Sequence, residues 1–328
     1  MKNQSLWPKK DIFASLKMDE LPDKLYFLLE ITDGYSFRNL IDYLKCSNSE
    51  GNFIFSPKDV SYTQIDGKSI ILNTFKIKTC MLRYIFNSKE DVLVGVQLAE
   101  LQSHTRNVGK KDGIRLYLKQ EDPNLYVQIL SANKGSRGNI SFVKTRIVDF
   151  LRLNLPEFVR KNDEPNTVAI ISDFAKTCKI MSSIKCDYVY FQGFPKGVKV
   201  SAYLEGQLVG KAEKFGDCDN FPTGGSKYPD IRSVIESISL DVDKNLQTGP
   251  PGKKLKLIVR PGDDVPTIRV PSDIISHLSK TNNISQNGIV RMYFEEKKPA
   301  RFLLPIGYYG KLTVLIRDQS IPLEAPSE

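Results

Sequence analysis

The chain has 328 residues and a mass of 37.1 kDa, a length that suits about two domains of ~100–200 residues each. Hydrophobic residues make up 41 % and charged residues 26 %, which excludes wholesale disorder, collagen-like repeats and a disulfide miniprotein. Lys and Arg number 47 against 38 Asp and Glu, a formal charge of +9 and a pI near 9.1, and an excess of this size points to a polyanionic partner, nucleic acid before membrane.

Residues 1–24 read as an N-terminal extension, polar apart from Trp7, Ile12, Phe13 and Leu16. Lysines at 2, 9 and 10 flank no continuous apolar core, and Pro8 interrupts the stretch, so it does not read as a secretory signal. No uncharged apolar run approaches the ~18 residues of a membrane span. Gly34 to Cys46 has helical periodicity, with Phe37, Leu40, Ile41 and Leu44 on one face and Arg38, Asn39, Asp42 and Lys45 off it. A strand (Phe53–Phe55), a turn (Ser56–Asp59) and a strand (Val60–Ile65) follow. Val96-Gln97-Leu98 opens a second helix running to about Val108. Asp112-Gly113 then signals a turn into the strand Ile114–Tyr117, and Tyr126–Ile129 follows Pro123.

The pattern then repeats. Ser172 to Ile184, 138 residues after Gly34 to Cys46, forms a third helix with Phe174, Thr177, Cys178, Met181 and Ile184 inward. Strands from Tyr188 to Phe191 and from Val198 flank the turn Pro195-Lys196-Gly197. Val270-Pro271-Ser272 opens a fourth helix to about Lys280, and Asn287-Gly288 leads into Ile289–Tyr293, with Arg301–Leu304 beyond Pro299. Ile289 lies 175 residues after Ile114, so about 37 residues are inserted in the second copy. The Pro- and Gly-rich stretch 216–254 suits that insertion. Closely spaced strands without intervening helices predict an α+β fold of two duplicated domains, each with two helices packed on antiparallel sheets. Residues 148–166, with Leu151, Leu153, Leu155 and Pro156, read as a connector between them.

Five cysteines, at 46, 80, 178, 186 and 218, form no Cys-x-x-Cys pair, and the first three have apolar neighbours. This implies free thiols and a reducing, intracellular location. Only two histidines, His104 and His277, are present, and neither has metal-ligand or triad spacing. No cofactor or metal is expected, and no catalytic residue. Gly249 to Lys254 fails the phosphate-loop pattern, which needs Gly-x4-Gly-Lys-Ser/Thr. The adjacent pairs Asp263-Asp264 and Glu295-Glu296 have nothing to place them across a substrate.

Opposite their apolar stripes the helices carry spaced cations among small polar residues. These are Arg38 and Lys45, then Arg106, Lys110 and the following Lys111, then Lys176 and Lys179, then Lys280. Such a face can meet a phosphate backbone without reading bases.

The duplicated helix–strand order resembles the sliding-clamp family of proliferating cell nuclear antigen. Asp59 to Asp66 is similar to the family's strand carrying Gln and Asp, here Gln64 and Asp66. Gly95-Val96-Gln97-Leu98 resembles the Gly-Val-Asn-Leu string that opens the family's second helix, and Pro299 to Ile316 resembles its C-terminal hairpin. The resemblance spans about residues 25–317, giving clamp domains 25–147 and 167–317 and a tail 318–328. It implies a homotrimeric ring around double-stranded DNA that tethers a DNA polymerase and other replication or repair proteins without catalysis. Partner peptides would then lie against Leu151, Leu153, Leu155, Pro156, Ile316, Ile321 and Pro322. Subunits would join through strands near Asn139–Arg146 and Gln207–Phe215, with Ile140, Phe142, Lys144 and Arg146 facing Leu208, Lys211 and Lys214. Lysines on both strands predict like charges across that joint.

Cellular clamps are usually shorter and acidic, so the basic charge, extension and insertion resemble a clamp of a large DNA virus acting in the host nucleus or a cytoplasmic replication site. The alternative is an open clamp, resembling herpesvirus processivity subunits or poxvirus late transcription factors, which holds DNA by charge without closing a ring.

Overall fold

The computed structural model describes residues 24–131, 140–145, 164–203, 210–218, 265–285, 288–296 and 298–319. The extension, connector residues 148–163, the bulk of the expected insertion and the tail from 320 lie outside them. The first half runs β1 (Leu25–Ile31), α1 (Gly34–Ser47), β2 (Glu50–Phe55), β3 (Asp59–Ile65), β4 (Ile71–Lys78), β5 (Arg83–Phe86), β6 (Val92–Gln97), α2 (Leu98–Thr105), β7 (Gly113–Lys119), β8 (Asn124–Leu130) and β9 (Ile140–Lys144). The second runs β10 (Thr167–Ile170), α3 (Ile171–Ser182), β11 (Tyr188–Phe194), β12 (Lys196–Tyr203), β13 (Gly210–Asp217), β14 (Thr267–Pro271), α4 (Ser272–Leu278), β15 (Ile289–Tyr293), β16 (Ala300–Ile306) and β17 (Gly310–Ile316).

Local chemistry sets these boundaries. The Asp33 carboxylate accepts the Ser36 N–H at 3.0 Å and caps α1. Asp66 closes the β3–β4 hairpin by accepting the N–H groups of Ile70 and Ile71, both at 2.7 Å. α2 stops at Thr105, three residues short of expectation, and Gly109 is held in the following turn by the Asp112 carboxylate at 2.8 Å. Arg106 to Lys111 therefore sit on a loop. The fourth helix tightens after Leu278 into a 3₁₀ turn, Ser279–Asn283. Gly216 and Asp217, expected to begin the insertion, instead close β13.

The strands among the described residues form three antiparallel sheets. Their orders are β5-β1-β7-β8-β9, β10-β15-β16-β17-β4-β3-β2-β6 and β13-β12-β11-β14. Matched by order, β1, β7, β8 and β9 correspond to β10, β15, β16 and β17, and β4, β3, β2 and β6 to β13, β12, β11 and β14. The eight-stranded sheet is therefore made by both halves, joined where β4 pairs with β17. One core cluster runs through both halves and includes Phe27, Leu40, Tyr62, Phe75, Phe174, Phe191, Phe302 and Ile316.

Two expectations about facing fail. Asn39, expected off the apolar stripe of α1, is buried because the turn after α4 packs beside it and accepts its Nδ2 at the Asn283 carbonyl, 2.8 Å away. Cys80, expected among apolar neighbours, is exposed. None of the five cysteines is in a disulfide, and burial pushes the thiol of Cys178 up. No helix among the described residues is long and apolar enough to cross a membrane.

Candidate nucleic-acid interface and edge strands

The four helices among the described residues lie in one layer, in the order α2, α1, α4 with its 3₁₀ turn, α3. α2 flanks the edge strands β6 and β9, and α3 flanks β10 and β13. Each end of the helix layer thus coincides with an open end of the sheets.

The expected cations divide by position in this layer. Those on the central helices are engaged. Arg38 donates to the Val108 carbonyl at 3.0 Å, lies 3.8 Å from the Asp42 carboxylate and faces the Tyr35 ring. Lys45 donates to Gln102 Oε1 at 2.6 Å, and Gln102 donates to Asp42 at 2.8 Å. Lys280 reaches Cys46 Sγ at 2.9 Å. Lys68, which the sequence did not single out, pairs with Asp273 of α4 at 2.5 Å. The contacts of Arg38, Lys45 and Lys280 tie α1 to its two neighbours, and Lys68 ties the β3–β4 turn to α4. At the ends of the layer, Arg106, Lys110 and Lys111 beside α2 and Lys176 and Lys179 on α3 are exposed. Among the described residues their side chains make no hydrogen bond, ion pair or ring contact.

The two expected joint strands are both sheet edges, β9 and β13. Ile140 and Phe142 of β9 are each 57 % exposed. Phe142 ends a row that crosses the whole five-stranded sheet, Ile85–Leu28–Tyr117–Tyr126–Phe142. The Tyr117 and Tyr126 rings stack with centroids 4.8 Å apart, so Phe142 is backed by a rigid aromatic support. Lys144 is exposed. On β13, Lys211 and Lys214 are exposed, and Lys211 lies 3.6 Å from Glu213. Arg146 and Leu208 lie outside the described residues.

Beside β13 runs a groove of about 590 Å³ between that edge, β10 and α3. Its lining includes Val168, Ile170, Lys176, Ile180, Lys211 and Phe215. Val168 and Ile170 are 50 % and 54 % exposed, and Ile289, paired with Ile170, is 41 % exposed. The sequence reading missed this patch. Its signal is two apolar residues at alternate positions of a strand whose other face is already inward, and the strand is too short to stand out.

Of the expected peptide-groove residues, Leu151, Leu153, Leu155, Pro156, Ile321 and Pro322 lie outside the described residues. Ile316 is corrected: it is fully buried in the shared core and cannot line a surface groove. Strand alternation turns its neighbour Leu315 to the opposite face, alongside Leu72. Ile65, at the end of β3, is 39 % exposed.

No protein-family model matches the chain, and neither does any curated protein. Solved structures do. A chain of the PCNA2-PCNA3 complex from Sulfolobus tokodaii matches with a TM-score of 0.62 and 14 % identity, over 90 % of this chain and 100 % of that one. Proliferating Cellular Nuclear Antigen from Entamoeba histolytica matches with a TM-score of 0.64 and 12 % identity, over 90 % and 99 %. At these identities the likeness is one of fold, and the chain has the α+β duplicated fold of the PCNA clamps.

Proposed function

We propose that the chain is a subunit of a DNA sliding clamp, a non-enzymatic processivity factor that encircles duplex DNA and tethers a polymerase and other replication or repair proteins. The observation that carries this is an open equivalent of the internal joint. Inside the chain β17 pairs with β4. Their counterparts β9 and β13 are both edges, so β9 of one copy completes β13 of the next in the same geometry. A head-to-tail contact of this kind closes into a ring when the rotation per copy allows it. Three copies is the number implied by the family resemblance. Pairing also covers both open strands, which otherwise invite uncontrolled association.

The internal joint supplies a register for the joint between copies. Ile77 opposite Val60 corresponds to Phe215 opposite Val198, and Ile316 opposite Ala300 to Val143 opposite Leu125. Transferring the β17–β4 pairs sets Phe142 against Gly210, Ser141 against Lys211 and Ile140 against Ala212. The bulky exposed residues of one edge then meet the small residues Gly210 and Ala212 of the other. In this register the lysines of the two edges do not oppose one another.

The basic charge and low identity support the divergent, viral member of the family, working in the nucleus or at a cytoplasmic replication site. A second reading, an open clamp held by charge, is favoured by the cations at the two ends of the helix layer that have no partner among the described residues. Trapping on DNA separates the two. A ring is retained on a closed circle and lost when the circle is linearised. Equal retention on both rejects the ring.

A further inference from the structure

We infer that the main phosphate-binding site of this chain is composite, built by α3 of one copy and by α2 and its following loop in the next, so that duplex DNA drives the copies together. The inference rests on the clamp reading and adds to it where DNA is held and what controls assembly.

The argument starts from the helices beneath the internal joint. Where β17 meets β4, α1 of the first half lies beside α4 and its turn from the second. The halves correspond, so α3 lies beside the next copy's α2 where β9 meets β13. Backbone contacts fix the matching residues. Gly34 N–H donates to the Asp112 carbonyl as Ile171 N–H donates to that of Gly288. Val108 N–H donates to Thr105 as Ile284 N–H donates to Thr281, and the Thr105 and Thr281 hydroxyls each donate three residues back. Lys176 therefore occupies the place of Asn39, and Arg106 that of Asn282.

At the internal joint these places are neutral, and the contact is closed by the Asn39–Asn283 hydrogen bond of 2.8 Å. The charged groups nearby are Lys280 against Cys46 and Lys68 paired with Asp273. At the joint between copies the same surface carries Lys176 and Lys179 facing Arg106, Lys110 and Lys111. None of the five has a partner among the described residues. Asp173, at the rim of the same groove, offsets only part of this charge. Without a counterion the joint is strained by repulsion between like charges. A duplex, with a charge every ~1.7 Å of its axis, supplies the missing anions. Coupling is reciprocal: if DNA tightens the joint, joining tightens DNA binding.

The test is sedimentation of the full chain at low salt with and without a short blunt duplex, alongside charge reversals at each side of the joint. The duplex is expected to strengthen self-association on the order of tenfold or more. Lys176→Glu with Lys179→Glu is expected to strengthen association without DNA and to weaken duplex binding, because opposite charges now meet. Adding Arg106→Glu, Lys110→Glu and Lys111→Glu makes both sides acidic and removes that association again. The five side chains are exposed, so the fold should survive, and Lys176→Gln with Lys179→Gln gives an intermediate result that controls for local damage. Equal wild-type association with and without duplex overturns the inference while leaving the clamp reading intact. So does a reversal that leaves DNA-free association unchanged. A wild-type chain that binds no duplex in any state overturns the clamp reading as well.

Discussion

Ile71 of β4 lies directly across from Ile316 of β17, and both are fully buried. This pair, 245 positions apart in the chain, fastens the two halves into one sheet and one core. Ile316→Ala should therefore cost about 2–5 kcal/mol, the transfer and cavity terms of a core truncation. Phe142→Ala, at the exposed counterpart of this joint, should cost the isolated chain under ~1 kcal/mol. Urea unfolding of the two variants checks the contrast. Similar losses would mean that Phe142 is packed within the chain and is not held for another copy.

The proposed register is open to a direct chemical check. With Ser141 opposite Lys211 across the joint, Ser141→Cys and Lys211→Cys in one chain should cross-link copies under mild oxidation, since directly opposed strand residues have Cβ atoms ~4.5–5.5 Å apart. Exposed Cys80 is first replaced by Ser to remove a competing thiol. Ser141→Cys combined with Glu213→Cys is two residues out of register and should link far less. Equal yields from both pairs would reject the register.

Glu30 and Arg115 form an ion pair at 2.6 Å with side chains only 6 % and 9 % exposed. Arg83 approaches Glu30 at 3.4 Å, and Arg115 donates to Gln128 at 2.8 Å, so one polar row crosses four strands of the five-stranded sheet. Arg115→Met leaves the buried Glu30 carboxylate with only the longer Arg83 contact and should cost up to ~3–5 kcal/mol, whereas Glu30→Leu with Arg115→Met should recover most of it. A double-mutant cycle by denaturant unfolding measures this. Additive losses would show that the two residues act independently.

His277 is half-buried on α4. Burial holds its imidazole below the ordinary 6.5, Lys280 and Lys68 act in the same direction, and Asp273 and Asp66 oppose them. Between the lowered folded value and 6.5 the unfolded chain binds more protons than the folded one. Stability is therefore complete above about pH 6.5 and falls as the pH drops through the folded value. Melting temperatures near pH 7.5 and 5.5 should show an acid loss in the wild type that shrinks in His277→Gln. An identical loss in the variant would assign the acid sensitivity to other groups.

The sequence is informative where interactions are local and poor where they are long-range. The helical spans of α1 and α3 and the Asp-Gly turn before β7 follow from periodicity and turn chemistry, whereas the two joint strands are implied only by the family resemblance. The β4–β17 pairing does not, because nothing in either strand names a partner more than two hundred residues away. Ile316 illustrates the consequence. Placed near a tail it reads as a surface residue, but alternation along β17 turns it into the shared core, with Leu315 buried on the opposite face of the sheet. Asn39 is a similar case, polar by type yet buried by a turn from the other half. The cations stand out in the sequence as a set, but their separation into engaged central ones and terminal ones without a partner among the described residues depends on Gln102, Asp42 and Asp273, which no helical projection brings into contact.

That separation yields the sharpest prediction for DNA binding. Lys45 and Lys280 are already bonded to Gln102 and Cys46, and a phosphate contact would have to displace those bonds. Lys179 and Arg106 would give up only water. Single alanine substitutions at Lys179 or Arg106 should each weaken duplex binding and lower the salt slope by about 1, independently of sequence. Lys45→Ala should leave the slope nearly unchanged and instead loosen α1 from α2. Duplex titrations from low to moderate salt distinguish these outcomes. Equal slope changes at all positions would mean that DNA lies along the middle of the helix layer as well as at its ends, and the cations on α1 would then have to exchange protein partners for phosphate.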